Sequence, residues 1–259
     1  MADEPYHCYK KEQKQMIDFH SHFLPQIDDG SKSVEESLTL LQTSRAQGVT
    51  TMVATPHFYA EQNTPDRFLE RRRRAWARLA PAYKSYEGEL PEILFGAEVH
   101  YFEGIARTDE TLKLRCEGTR ILLLEMPFSR WNDRMLDEIV ELNRNPEIQV
   151  LLAHIERYLT WQKRSTVADL IDEGILIQSN AENFLSWPQN RKGLKMVKEK
   201  QIHVISSDCH NMKKRPPNIG AARDVIIKKA GRSVWTRLER NGKNLLRTAS
   251  LGSEETQQK

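Results

Sequence analysis

Seven short apolar segments recur along the chain, most of them followed by a polar residue and then a helical pattern. They cover residues 16–20, 50–54, 92–97, 120–124, 148–153, 175–179 and 203–206. They are rich in Ile, Leu and Val and mostly unalternating, as parallel strands buried on both faces are. Helices are expected at about residues 65–86, 132–143, 165–173, 189–200 and 220–229. Another opens at Ser33-Val-Glu-Glu36, a capping box, and stops at Gly48. Strand–helix units with right-handed crossovers close into a barrel or open into a doubly wound sheet. Seven strands favour a barrel, incomplete or distorted, and 259 residues suit one such domain.

The residues at the C-terminal ends of these strands narrow the chemistry. They are His20 and His22; His57 in Thr-Pro-His; Glu98 in Gly-Ala-Glu; Glu125 after Leu-Leu-Leu; His154 in Ala-His-Ile-Glu-Arg; and Asp208 with His210 in Ser-Ser-Asp-Cys-His. Alternate residues of a strand share a face, so His20 and His22 point the same way. Asp29 follows them in a polar turn that ends at Gly30. In α/β barrels this end carries the chemistry. Buried, unpaired carboxylates are costly and clustered like charges more so. Divalent cations are the remedy, and mixed imidazole and carboxylate donors suit manganese, iron or zinc better than calcium.

Composition excludes several classes. The 39 basic and 36 acidic residues leave a net charge of +3, too mild to imply a nucleic-acid protein. No apolar run approaches a membrane span and the start lacks a hydrophobic signal core, so a cytoplasmic protein with no membrane insertion is expected. Cys8, Cys116 and Cys209 form neither a disulfide framework nor a zinc pair. No glycine-rich phosphate loop is present. The run Arg71-Arg72-Arg73-Arg74 reads as the solvated face of an amphipathic helix, or as an anion-facing patch. Residues 1–15 are expected to be a flexible extension, with Met16 an alternative start. Residues 16–249 form the barrel domain, and 250–259 a disordered polar tail.

Taken in order, H-S-H-F-L-P-Q-I-D-D-G, A-T-P-H, A-H-I-E-R and D-C-H-N resemble the PHP (polymerase and histidinol phosphatase) superfamily. Within it they resemble the bacterial metal-dependent protein-tyrosine phosphatases of capsule and exopolysaccharide loci, over about Met16 to Ala230. The resemblance implies a distorted (β/α)7 barrel with three divalent metals, manganese or iron, with magnesium or zinc possible in vitro. It places His20, His22, Glu98 and Asp208 on the first metal. Glu98 bridges to a second, which Glu125 and His154 complete. Asp29, His57 and His210 hold a third. Arg157 and Arg215 fall where the family places phosphate-binding arginines. The implied activity is hydrolysis of phosphotyrosine by a metal-activated hydroxide, on the C-terminal tail of a tyrosine kinase that regulates polysaccharide synthesis. The alternatives are a small-molecule phosphatase, such as one acting on histidinol phosphate, and a PHP-type nuclease or nucleic-acid-binding module.

One rival signal shares the last motif. Cys209 and Arg215 have the five-residue separation of cysteine-dependent tyrosine phosphatases. Those enzymes cradle phosphate in backbone amides helped by glycine. The intervening His-Asn-Met-Lys-Lys has none, and Asp208 and His210 flank the cysteine as ligand-type residues.

Overall fold

The computed structural model describes residues 16–247, so the expected extension and tail lie outside the described residues. Nine parallel strands form two hydrogen-bonded sets. The first is β1 (Met16–Ser21), β2 (Val49–Ala54) and β4 (Glu92–Phe95). The second runs β3 (His57–Phe58), β5 (Glu98–His100), β6 (Ile121–Glu125), β7 (Gln149–Leu152), β8 (Leu176–Asn180) and β9 (Val204–Ser206).

The sets are one curled sheet. Strands β2 and β3 are a single strand broken at Thr55-Pro56, and β4 and β5 a single strand broken at Gly96-Ala97. The Gly96 amide bonds the Ala54 carbonyl at 2.8 Å and the Glu98 amide the Pro56 carbonyl at 3.1 Å, which carries the pairing across both breaks. The other edge meets β1. The Asp208 amide donates to the His20 carbonyl at 2.8 Å, and the His22 amide to the Cys209 carbonyl at 2.8 Å. Seven strand positions therefore close, as expected from the sequence.

Alternation divides the core in two. Leu122, Leu124, Val150 and Leu152 belong to the larger cluster between strands and helices. Ile121, Leu123, Leu151 and Ala153 belong to a smaller cluster with Ile17, Phe19, Val53 and Val204, the interior of the barrel. At the C-terminal end the inward positions become polar. Leu94, Gly96 and Glu98 share one face, and so do Ile121, Leu123 and Glu125, and Val204, Ser206 and Asp208.

Two strand ends need a backbone device to join this set. Simple alternation from Ile17 and Phe19 would send His20 outward with Asp18. A register shift between Asp18 and Ser21 adds one residue to β1, which reverses the facing and brings His20 and His22 inside. His154 follows outward-facing Leu152 by two, and its φ of 28° turns it back towards the centre.

The helices are α1 (Val34–Ala46), α2 (Pro65–Ser85), α3 (Asp133–Arg144), α4 (Arg164–Asp172), α5 (Gln189–Lys198), α6 (Ile219–Ala230) and α7 (Arg232–Arg247). Ser33 caps α1 through the Glu36 amide, and the Glu36 carboxylate returns to the Lys32 amide at 2.8 Å. No α-helix joins β5 to β6; two 3-10 turns, Ile105–Arg107 and Asp109–Leu114, replace it. Helix α7 was not expected from the sequence. It lies against β1 and β9, and Gly242 lets it approach closely: a Cβ there would stand 3.3 Å from the Phe19 ring.

The arginine run is mostly structural. Arg71 donates to the Ile27 carbonyl and Arg78 to the Pro25 carbonyl, so α2 clamps the loop that carries Asp29. Arg72 is buried, bonding the Gly96 carbonyl at 2.7 Å and pairing with Glu117. Arg71, Arg73 and Arg74 are exposed, as the solvated-face expectation has it, and the last two pair with Glu70.

Candidate metal centre

The expected ligands form one connected cluster around Glu98, which is 1% exposed at the start of β5. Its Oε2 lies 2.9 Å from His57 Nδ1, 3.2 Å from His20 Nε2 and 3.3 Å from His22 Nε2. Its Oε1 lies 2.9 Å from His154 Nε2. Glu125 Oε1 is 3.3 Å from the same nitrogen. Asp208 Oδ1 faces His20 Nε2 at 3.3 Å and His22 Nε2 at 3.6 Å. Asp29 Oδ1 lies 3.4 Å from His57 Nε2 and 3.3 Å from His210 Nε2.

Three groups have donor atoms within 4.8 Å of one another: His22, Asp29, His57 and His210; His20, His22 and Asp208; and His57, Glu98 and Glu125. His22 and His57 thus each reach into two groups. His154 completes the cluster through its contacts with Glu98 and Glu125.

The donor atoms are poorly satisfied by protein. Glu98 Oε2, Asp208 Oδ1 and His57 Nδ1 are buried with no hydrogen bond of good geometry. His20 and His22 bring their Nε2 atoms within 3.1 Å of each other. Buried polar atoms are ordinarily paired, so this many open lone pairs at one spot fit cations.

Charges in the cluster are mutually dependent. Burial opposes ionisation of Glu98, yet charge on His20 and the close approach of His154, His20 and His22 hold it well below the usual carboxylate range. Burial likewise opposes charge on His22 and His154, but Asp28 raises the first to about 9, and Glu125 with Glu98 raises the second to about 9. His57 reaches about 12 against its own burial, through Asp29 and Glu98. Without cations, protons would have to balance the carboxylates.

Arg157 and Arg215 meet at Asp208. Arg157 Nη2 donates to Asp208 Oδ2 at 2.7 Å, and Arg215 Nη2 donates to the same oxygen. Asn180 Nδ2 adds a third donor at 2.7 Å. One oxygen of Asp208 is therefore saturated while the other faces the imidazoles. Asp208 has φ 53°, so two members of the cluster, Asp208 and His154, hold left-handed backbone.

Several contributors were not singled out from sequence. Asp28 Oδ2 holds His22 Nδ1 at 2.8 Å and accepts the His57 amide at 3.1 Å. Its only sequence signal was adjacency to Asp29. Gly30 lets that turn close, because a Cβ would stand 2.1 Å from the His22 carbonyl oxygen. The strand that lacks an acid or histidine end, β8, supplies amides instead. Gln178 Oε1 accepts the His154 amide at 2.6 Å and lies 3.4 Å from His20 Nδ1. Gln178 and Asn180 repeat the two-residue spacing of His20 and His22, which was the available signal. His100, two beyond Glu98, bonds Glu125 at 3.1 Å.

The cysteine signal has no matching geometry. Cys209 is fully buried in the larger core cluster, and burial pushes its thiol above the usual range. Arg215 is engaged by Asp208 and His210.

The model of the capsular polysaccharide synthesis family CpsB/CapC matches residues 16–247, further than the span ending near Ala230 expected from the motifs, and so including α7. The chain is 32% identical over 235 residues to the tyrosine-protein phosphatase CpsB of Streptococcus pneumoniae, covering 83% of this chain and 91% of that protein. It is 27% identical over 245 residues to the tyrosine-protein phosphatase YwqE of Bacillus subtilis strain 168, covering 91% and 93%.

Two solved structures share the fold. One comes from work on YwqE of Bacillus subtilis and CpsB of Streptococcus pneumoniae, described as unique metal-dependent tyrosine phosphatases. It superposes with a TM-score of 0.78 at 24% identity, over 90% of this chain and 94% of that one. The other, the phosphotriesterase homology protein of Escherichia coli, gives 0.52 at 9% identity over 91% and 99%. With the motifs, the closed barrel and a family match spanning every described residue, the chain belongs to the CpsB/CapC family of capsular polysaccharide synthesis.

Proposed function

We propose that this protein is a metal-dependent protein-tyrosine phosphatase, a phosphomonoesterase acting on phosphotyrosine of a partner protein. The observation that carries the proposal is the set of buried, unsatisfied imidazole and carboxylate atoms around Glu98, with Arg157 and Arg215 anchored at its edge. The relatives named as tyrosine-protein phosphatases support the choice of substrate.

Three divalent ions fit the proposal: one with His20, His22, Glu98 and Asp208; one with Glu98, Glu125 and His154; one with Asp29, His57 and His210. Bound there, manganese or iron would supply Lewis acidity and lower the pKa of water towards neutrality. The chain's own residues do the remaining work. Asp208 holds both guanidiniums beside the cluster before substrate arrives, so no reorganisation is needed when charge develops on the phosphoryl oxygens. Arg157 and Arg215 are 34% and 29% exposed, open enough to meet a phosphate and fixed enough to orient it. Each planar fork keeps N–H donors beyond those given to Asp208. Hydrolysis breaks the bond from phosphorus to the tyrosyl oxygen, adds water across it, and releases phosphate and tyrosine. The phenol leaving group, with pKa about 10, needs less protonation than an alkyl alcohol.

The proposed partner is the phosphorylated tail of a tyrosine kinase controlling polysaccharide synthesis, met in the cytoplasm. No helix among the described residues is long and apolar enough to cross a membrane. Turnover of a phosphotyrosine peptide, histidinol phosphate and single-stranded DNA should be compared with manganese present. The peptide should be hydrolysed well ahead of the others. Preference for histidinol phosphate or DNA would overturn the proposal.

A further inference from the structure

An exposed aromatic surface adjoins the cluster and is used by neither the ligand set nor the arginines. Phe128 is 44% exposed and Trp161 43% exposed. Phe128 follows Glu125 by three residues, and Trp161 follows Arg157 by four, so both sit in loops at the barrel's C-terminal end. The Phe128 ring stacks on the His154 imidazole with centroids 5.8 Å apart and planes 25° apart. It also stacks on Tyr158 at 5.6 Å and 27°, and Trp161 lies 6.4 Å away.

Phe128 is held in place from beneath. Tyr158 is fully buried, its hydroxyl accepts the Met126 amide at 2.9 Å, and Trp131 packs edge-on against it at 5.1 Å. A rigid pair of large rings left in solvent beside a polar centre marks a contact surface.

We infer that Phe128 and Trp161 receive the phenyl ring of the leaving group and make the site selective for aryl over alkyl phosphates. The inference rests on the phosphatase reading and deepens it. The cluster and the arginines fix where phosphorus sits, and Phe128 touches a member of that cluster. A ring one bond beyond the ester oxygen of a phosphate held there would lie against Phe128, and aromatic pairs settle with centroids roughly 4.5–7 Å apart. A serine or threonine ester offers no ring and gains nothing from this surface.

Benzylphosphonate and ethylphosphonate present the same charged head with and without a ring, and neither can be hydrolysed. Their affinities for the metal-loaded full chain can be measured by calorimetry, independently of turnover. The wild type should prefer benzylphosphonate. Phe128→Ala and Trp161→Ala should each shrink that preference about five- to tenfold by weakening benzylphosphonate alone, and Phe128→Tyr should retain it. An unchanged preference in both alanine variants would overturn the inference. So would equal weakening of both phosphonates, which would make Phe128 a mere support for His154. A wild type that binds neither phosphonate and hydrolyses no phosphomonoester would overturn the phosphatase reading as well.

Discussion

Asp18, Arg72 and Glu138 are as deeply buried as Glu98 and Asp208, yet the two sets differ in how the protein answers them. Asp18 accepts the Ser207 hydroxyl, the Ser207 amide at 3.0 Å and the His20 amide at 3.2 Å. Glu138 accepts the Tyr101 hydroxyl and the Gly104 amide at 3.0 Å. Arg72 is spent on the Gly96 carbonyl and Glu117. Glu98 Oε2 and Asp208 Oδ1 are instead left facing imidazoles without a good hydrogen bond. The first set is closed by protein donors and acceptors and serves the fold. The second set is open, and its cost is recovered only when something outside the chain completes it.

The contrast breaks first, and by the largest margin, if two matched substitutions behave alike. Glu98→Gln should cut turnover of a phosphotyrosine peptide at least about a thousandfold and lower metal content, since the charge proposed to join two ions is lost. Glu138→Gln should keep metal content and most turnover but lose about 1–3 kcal/mol of stability, because one of its donors is left unmet. Metal analysis, turnover and denaturant unfolding on both variants would read this, and equal metal loss would erase the distinction.

Arg215→Met comes next. It should lower turnover about a hundred- to a thousandfold while metal content stays near the wild-type level, as expected for a group that stabilises developing charge. Asp28→Asn should weaken metal affinity about ten- to a hundredfold, because Asp28 orients His22 without itself joining a donor group. Competition with a chromogenic chelator would measure it, and unaltered affinity would make Asp28 a turn residue only.

The smallest effect is a drift of stability with pH. In metal-free protein the raised His22 and His154 add stability that is fully present below their unfolded value near 6.5 and is lost as pH climbs through about 9. Glu125, depressed to about 2 against burial by His100 and His154, adds stability present above about 4.5 and lost as pH falls through 2. Chelated protein should therefore show a falling Tm between about pH 6.5 and 9. Stabilisation by added manganese should grow over the same interval, because ligands must shed protons to bind. A Tm that rises in chelator would contradict this.

Much of the fold was legible because buried parallel strands write themselves as short Ile, Leu and Val runs, and all seven expected strand positions exist. Most candidate ligands were legible because they follow the end of such a run, and Asp29 because it sits in the polar turn after His22. Four features were not. The register shift in β1 leaves no residue-level mark, although it decides that His20 and His22 face inward. Helix α7 is charge-rich and interrupted by Gly242, which reads as a breaker until Phe19 is seen packed against it. The burial of Arg72 and the anchoring of exposed Arg71 depend on carbonyls at Gly96 and Ile27, far away in sequence, whereas a run of four arginines looks solvated. Gln178 and Asn180 escaped notice because amides are not ligand-type residues, yet they fix His20, His154 and Asp208.

The central claim is that the open set of buried donors holds the metals that drive hydrolysis, and that Cys209, buried in the core, takes no part. The most direct test pairs chelation with Cys209→Ala in one phosphotyrosine-peptide assay. Turnover should fall to background in chelator, return on adding manganese, and stay within about threefold of wild type in the cysteine variant. Turnover that survives chelation and disappears with Cys209 would contradict the account.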